Sequence, residues 1–165
     1  MKTTPTTALL AVFSFSAWFS VRMVASVHFT QHCGGYLERA GHANTVELAA
    51  QELTRAVQYM EANDLRTGYT SVLWRTPDED IGFWYTNVTA SLAELRSVKP
   101  EASQLERSNI LLKLRETLIV NNNEGDSLRV PSGISIYPDN GLFFLWGTLS
   151  VLGMALICGA ILVDS

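Results

Sequence analysis

Two long apolar runs bracket the chain, and the alternation between them follows a different rule. Residues Gly141 to Val163 read GLFFLWGTLSVLGMALICGAILV, with no charge, amide or proline. A helix needs about 20 such residues to cross the hydrocarbon core, and a soluble core helix of that length would carry a polar face. The run therefore predicts a transmembrane helix over 141–163. A second run, ALLAVFSFSAWFSVRMVASV from Ala8 to Val27, follows a short polar tail that contains Lys2. It predicts a first transmembrane helix over 8–30 behind a tail at 1–7. A cleaved signal peptide is the competing reading. It wants a shorter apolar region and a small-x-small cleavage site. Ala25-Ser26 offers a poor one, and the run resumes after Arg22, so a retained helix is preferred. Arg22 sits where its stem can carry the guanidinium to the headgroups, the alternative being a buried charge paired with a partner subunit.

Between the runs, over 31–140, the period changes to that of amphipathic helices with explicit start signals. Asn44 precedes Glu47 by three residues, Thr76 precedes Glu79, and Ser103 precedes Glu106. Each pair fits a capping box, in which a side-chain oxygen accepts from an orphan N–H and a carboxylate reaches back. Pro77 adds a first-turn proline, whose missing N–H costs nothing there. The stripe Val46, Ala50, Leu53, Val57, Met60 predicts a helix over 45–62. Ile81, Trp84/Tyr85, Val88, Leu92, Leu95 predicts one over 77–98, closed by Pro100. Leu105, Leu111/Leu112, Leu114, Leu118/Ile119 predicts one over 101–120. That sector is wide enough to be buried on more than one side.

Gly34-Gly35 reads as a break after the first span, and Asn121 to Gly125 as the stop of the third helix. Leu128/Val130 and Ile134/Ile136 alternate around Pro-Ser-Gly, predicting an extended or hairpin segment over 127–137. Tyr137, Phe143, Phe144 and Trp146 gather at the mouth of the second span, as aromatics do at a membrane interface. The expected fold is an all-α membrane protein. Two transmembrane helices flank a three-helix antiparallel soluble domain, with a short extended or hairpin segment before the second span.

Composition narrows the partners. The net charge of −4 gives no basic surface for nucleic acid and no polybasic segment for anionic lipid. Nine arginines against three lysines fit a GC-rich genome better than a binding site. The two cysteines are Cys33 and Cys158, the latter inside the second apolar run, so a disulfide between them is not expected.

Candidate chemistry is sparse. Asp78, Glu79 and Asp80 resemble a metal cluster, but carboxylates in a first helical turn are accounted for by the helix dipole. Thr76, as the cap, is expected to matter more for stability than Asp80. The sequon Asn87-Val88-Thr89 falls inside a predicted helix and is discounted. Phe83-Trp84-Tyr85 lie about 100° apart on a helix, so at least one must leave the core. All three histidines, His28, His32 and His42, cluster after the first span beside Cys33. His28 and His32 are four apart, which places both imidazoles on one helix face. His28, His32 and Cys33 are thus the candidate metal or haem ligands, although they complete no recognised spacing motif. Ser16/Ser20 and Ala155/Gly159 are small residues at helix-pairing spacing.

With no phosphate loop, nucleophile elbow or H-E-x-x-H, the expectation is a non-enzyme without cofactor. The expected function is an accessory or scaffold subunit of a larger assembly. The alternatives are a small ligand-sensing module and, more remotely, a metal- or haem-binding electron-transfer subunit. Expected partners are the lipid bilayer and other membrane subunits or further copies of the chain. The expected setting is a bacterial inner (plasma) membrane with the middle domain outside the cytoplasm, since the tail carries Lys2 and the middle segment is acidic. A cysteine introduced at an exposed site of the middle domain should then react with an impermeant thiol reagent on intact cells. Protection from the reagent would reverse the topology.

Overall fold

The computed structural model of the chain describes residues 5–122 and 125–164 and is mostly helical. Lys2, with most of the tail, and Asn123-Glu124 lie outside the described residues. The chain divides into two compact units, one formed by residues up to Val27 with those from Ser135 onward, the other by His28–Ile134.

The first unit holds the two apolar helices, α1 (Pro5–Phe29) and α6 (Asn140–Asp164). Both are long and apolar enough to span a membrane. Their contact is made by small and aromatic residues. A methyl group on Gly147 would lie 2.8 Å from the Trp18 ring, so only glycine admits the indole there. The Trp18 indole N–H donates to the Phe143 carbonyl at 2.8 Å. Trp146 donates to Ser14 Oγ at 3.0 Å, and the Ser14 and Ser150 hydroxyls lie 3.0 Å apart. Polar atoms on these apolar helices thus satisfy one another. Ser16, Ser20, Ala155 and Gly159 are exposed and take no part in this contact. Arg22 is exposed, its guanidinium 5.2 Å from the Trp18 ring centre.

In the second unit, helical backbone continues past α1 through a wide π turn (Thr30–Gly34) into α2 (Gly35–Gly41). The break expected at Gly34-Gly35 does not occur, so among the described residues the middle segment holds four α-helices where three were expected. Close approach acts at Gly35, where a methyl group would lie 3.0 Å from the Thr30 carbonyl oxygen, and at Gly41. A methyl group on Gly41 would come within 2.9 Å of the Ile119 side chain, and one on Gly34 would touch Phe29 and Leu128. Close approach, not chain reversal, is what glycine supplies here.

α3 (Val46–Ala62) starts one residue later than the Asn44 cap implies, because the Thr45 hydroxyl accepts from the Leu48 N–H at 3.2 Å. Its predicted stripe is buried at Val46, Leu53, Val57 and Met60, with Ala49 and Ala56 completing the face and Ala50 half-buried. α4 (Ile81–Ser97) buries Ile81, Trp84, Val88, Leu92 and Leu95 as predicted. Phe83 is the aromatic that leaves the core, at 66% exposure.

The start of α4 overturns the expected cap. Pro77–Glu79 form a 3₁₀ turn, and the Thr76 hydroxyl donates to Glu79 Oε2 at 2.8 Å without capping a helix. Two backbone bonds, Thr70 N–H to Glu79 O and Ile81 N–H to Gly68 O, tie Asp80 opposite Tyr69 in an extended conformation. The helix can begin only after it, so Asp80 becomes the cap and accepts from Phe83 N–H at 3.0 Å.

α5 (Gln104–Leu118) is capped as predicted, Ser103 Oγ accepting from Glu106 N–H at 3.2 Å. Its burial is narrower than expected. Leu114 and Leu118 are buried, whereas Leu105 and Leu112 are 71% and 57% exposed. The hairpin lies earlier than the predicted 127–137: β1 (Ile119–Asn122) pairs antiparallel with β2 (Gly125–Leu128) in the register Ile119 to Leu128. Ile119 therefore leaves the helix and begins a strand. Beyond Leu128 the chain forms a loop with a 3₁₀ turn at Ile134–Ile136.

Replacing Asp80 with alanine should destabilise this domain by about 0.5–2 kcal/mol, the usual cost of a lost N-cap acceptor. Thr76→Ala should cost clearly less. Denaturation of the two purified variants side by side checks the order, and a larger loss at Thr76 would refute the cap assignment.

Candidate functional site

The candidate ligands separate once the backbone is in place. His28 closes α1 and His32 sits in the π turn, with ring centroids 4.3 Å apart and planes 26° from parallel. His32 Nδ1 lies 2.9 Å from the His28 carbonyl oxygen, which can only accept, so Nδ1 carries the proton. Tyr59, from α3, brings its hydroxyl within 3.4 Å of His28 Nδ1 and its ring within 6.2 Å of His32. Both imidazoles are exposed, and Tyr59 is half-buried. This places the two histidines on one face, as their spacing implies, and adds a tyrosine that no local pattern could have identified.

Cys33 does not join them. It is fully buried, with its sulfur 3.9 Å from the Ala56 carbonyl in the core between α2 and α3. One residue along a helix turns the side chain by about 100°, which carries Cys33 inward where His32 points out. Cys33 and Cys158 are both free thiols.

His42 belongs to another network. Its Nδ1 lies 3.0 Å from the Glu38 carbonyl and its Nε2 3.2 Å from Asp126 Oδ2. Arg115 donates to the same carboxylate oxygen at 2.7 Å. The hydrogen bond from His42, followed by that from Arg115, holds the Asp126 carboxyl below its ordinary value. The network ties the hairpin to α2 and α5.

Two further surfaces stand out. A groove of about 640 Å³ between α4, α5 and the hairpin has Phe83, Trp84 and Val120 among its walls, with Arg129 and Glu116 at its edge. The Trp84 indole donates to the Arg129 carbonyl at 3.1 Å, fixing the loop that closes one side. The second surface is the loop before α4. Leu65 and Thr70 are buried and anchor it, but Val72, Leu73 and Trp74 are 44%, 59% and 76% exposed. Asp78, Glu79 and Asp80 form no metal-binding group, since among the described residues no three histidine, cysteine or acidic side chains converge. Asn87-Val88-Thr89 lies within α4 with Val88 buried and the Thr89 hydroxyl bonded to the Tyr85 carbonyl.

No known protein family, no curated protein and no solved structure matches this chain.

Asp126 yields a pH test. A carboxyl with a depressed folded-state pKa contributes stability above its unfolded value, here about 3.8, and loses it as pH falls through the folded value. Hairpin amides should therefore lose protection from hydrogen exchange below about pH 4, after correction for intrinsic rates. Asp126→Asn should remove that acid dependence and leave protection lower at neutral pH.

Proposed function

We propose that the protein is a non-catalytic accessory or scaffold subunit of a membrane assembly. It is held by two transmembrane helices and presents its middle domain to a partner membrane protein on the extracytoplasmic side. The four middle helices would pack as an antiparallel bundle, with α2 as the member added to the three legible in the sequence. The carrying observation is the exposure of the apolar side chains Val72, Leu73 and Trp74 on one loop, and of Phe83 on α4, in a domain of modest size. Monomeric proteins rarely leave a contiguous apolar patch uncovered, and tryptophan is enriched at the centres of interfaces. Exposed Leu105 and Leu112 on α5 point the same way. Within the lipid, Ser16/Ser20 and Ala155/Gly159 face away from the α1–α6 contact and leave small-residue faces open to further helices.

A second reading, a ligand-sensing module, draws support from the groove beside Trp84. Its volume is within the usual range for small-molecule sites, and the Arg129 side chain there has no ion-pair partner among the described residues.

Isolation in mild detergent discriminates between these readings. The scaffold reading expects a stoichiometric partner chain, lost on Trp74→Glu or Leu73→Glu while the helical content is unchanged. Both side chains are exposed, so neither change should unfold the domain. A protein that leaves the membrane alone, and is unaffected by either change, would sink the scaffold reading.

A further inference from the structure

We propose that His28 and His32 form a two-imidazole chelate for a late divalent transition metal, zinc or copper, that exchanges with solvent. This does not depend on the scaffold reading. Histidines four apart on one helical face are a recurrent metal-binding pair, because that spacing aims two ring nitrogens at one point. Here the two rings share that face and are stacked, 4.3 Å between centroids. A tetrahedral ion needs both in-plane lone pairs to converge on it, so one ring must turn out of the observed stack, 26° from parallel, before both nitrogens can bind.

The proton positions favour it as well. His32 Nδ1–H is committed to the His28 carbonyl, which leaves Nε2 with its lone pair in the neutral ring. His28 Nδ1 can donate to the Tyr59 hydroxyl oxygen, leaving its Nε2 likewise free. Holding Nδ1 on a carbonyl or a second-layer oxygen is how metal-binding imidazoles are oriented in general. Neither Nε2 has a hydrogen-bond partner among the described residues, and both rings are exposed. The π turn beginning at Thr30 is the only one among the described residues, and such turns are frequent at functional sites.

The donor count decides the kind of site. Structural zinc sites are closed by four protein ligands, and here there are two, with Cys33 turned into the core. The remaining positions would hold water or a donor from another molecule, so the ion is carried loosely and passed on. Imidazole suits zinc and copper, and copper(II) should bind the more tightly of the two by the usual order of affinities.

The test uses the untagged full-length protein in detergent, freed of metal and titrated separately with zinc and copper(II) salts. Wild type should bind one ion per chain, with nitrogen hyperfine structure in the copper(II) spectrum. His28→Ala and His32→Ala should each abolish binding, and Tyr59→Phe should weaken it by about tenfold. His42→Ala should bind as wild type does. Circular dichroism confirms that each variant keeps its helices, which exposed side chains should permit. Wild-type stoichiometry in the His28→Ala/His32→Ala double variant would overturn the proposal. So would failure of wild type to bind at micromolar metal, or loss of binding in His42→Ala equal to that in His28→Ala.

Discussion

A carboxylate enclosed by apolar side chains sets the terms for the middle domain. Glu52 lies on the inward face of α3, 2% exposed, between Leu53 and Ala49. Arg39 of α2 donates to its Oε1 at 2.9 Å, and Arg55, one turn along α3, stands 3.7 Å from the same oxygen. A buried charge without a partner is strongly destabilising, whereas a paired one is tolerated when geometry and packing are good. The pair holds α2 against α3, although Glu52 Oε2 is buried without a hydrogen-bond partner. The rest of that contact is shaped to permit it. Ala49 and Ala56 on α3 and Ala40 on α2 are fully buried small residues that let the helices close, and Leu37 and Cys33 fill the space between. Replacing α2 by a loose connection would expose this face and leave Glu52 with Arg55 alone as its ion-pair partner. The packing of α2 on α3 thus favours the continuation of helix through Gly34-Gly35 from outside the segment.

That dependence explains what could and could not be read from the chain. α3 and α4, apart from the start of α4, were legible because their buried positions recur at about 3.6 residues. α2 was not, because seven residues containing two glycines carry too little periodicity, and its helical state is favoured by packing on α3, where Glu52 lies fifteen residues beyond Leu37. Glu52 itself reads as a surface residue. The end of α5 was misplaced for the opposite reason. Leu118 and Ile119 continue an apolar pattern, but Ile119 packs against Gly41 and pairs with Leu128, so the strand wins over the helix. The capping signals were right in kind and wrong by register at two of three sites. At Asp80 the Tyr69–Asp80 bridge moved the helix start by tertiary hydrogen bonding that no local motif encodes.

The same division runs through the candidate site. The approach of His28 to His32 follows from spacing alone, and the structure brings them together. The grouping with Cys33 followed adjacency in sequence, which is misleading on a helix, where neighbours point apart. Tyr59 joins from α3 through packing, its ring set edge-on to Phe29 at 6.2 Å. Long-range partners of this kind appear only when the elements are assembled.

The distribution of exposed apolar surface bears most directly on function. In the two long helices, which are long and apolar enough to span a membrane, it is spread along the residues outside the α1–α6 contact, while Ser14, Trp18, Trp146 and Ser150 place their polar atoms in that contact. In the middle domain it is concentrated, falling on the Val72–Trp74 tip, Phe83, and one side of α5. The tip is not loose chain that happens to carry apolar residues. Leu65 is buried, Thr70 is hydrogen-bonded to Glu79, and the Arg75 guanidinium lies 5.2 Å from the centre of the Tyr69 ring. The loop is held firmly at its base and leaves its least water-soluble residues outward. Leu73 and Trp74 thus stand in water on a loop whose base is tied by backbone hydrogen bonds, and the scaffold proposal rests on that exposure, since a partner surface would remove both side chains from water.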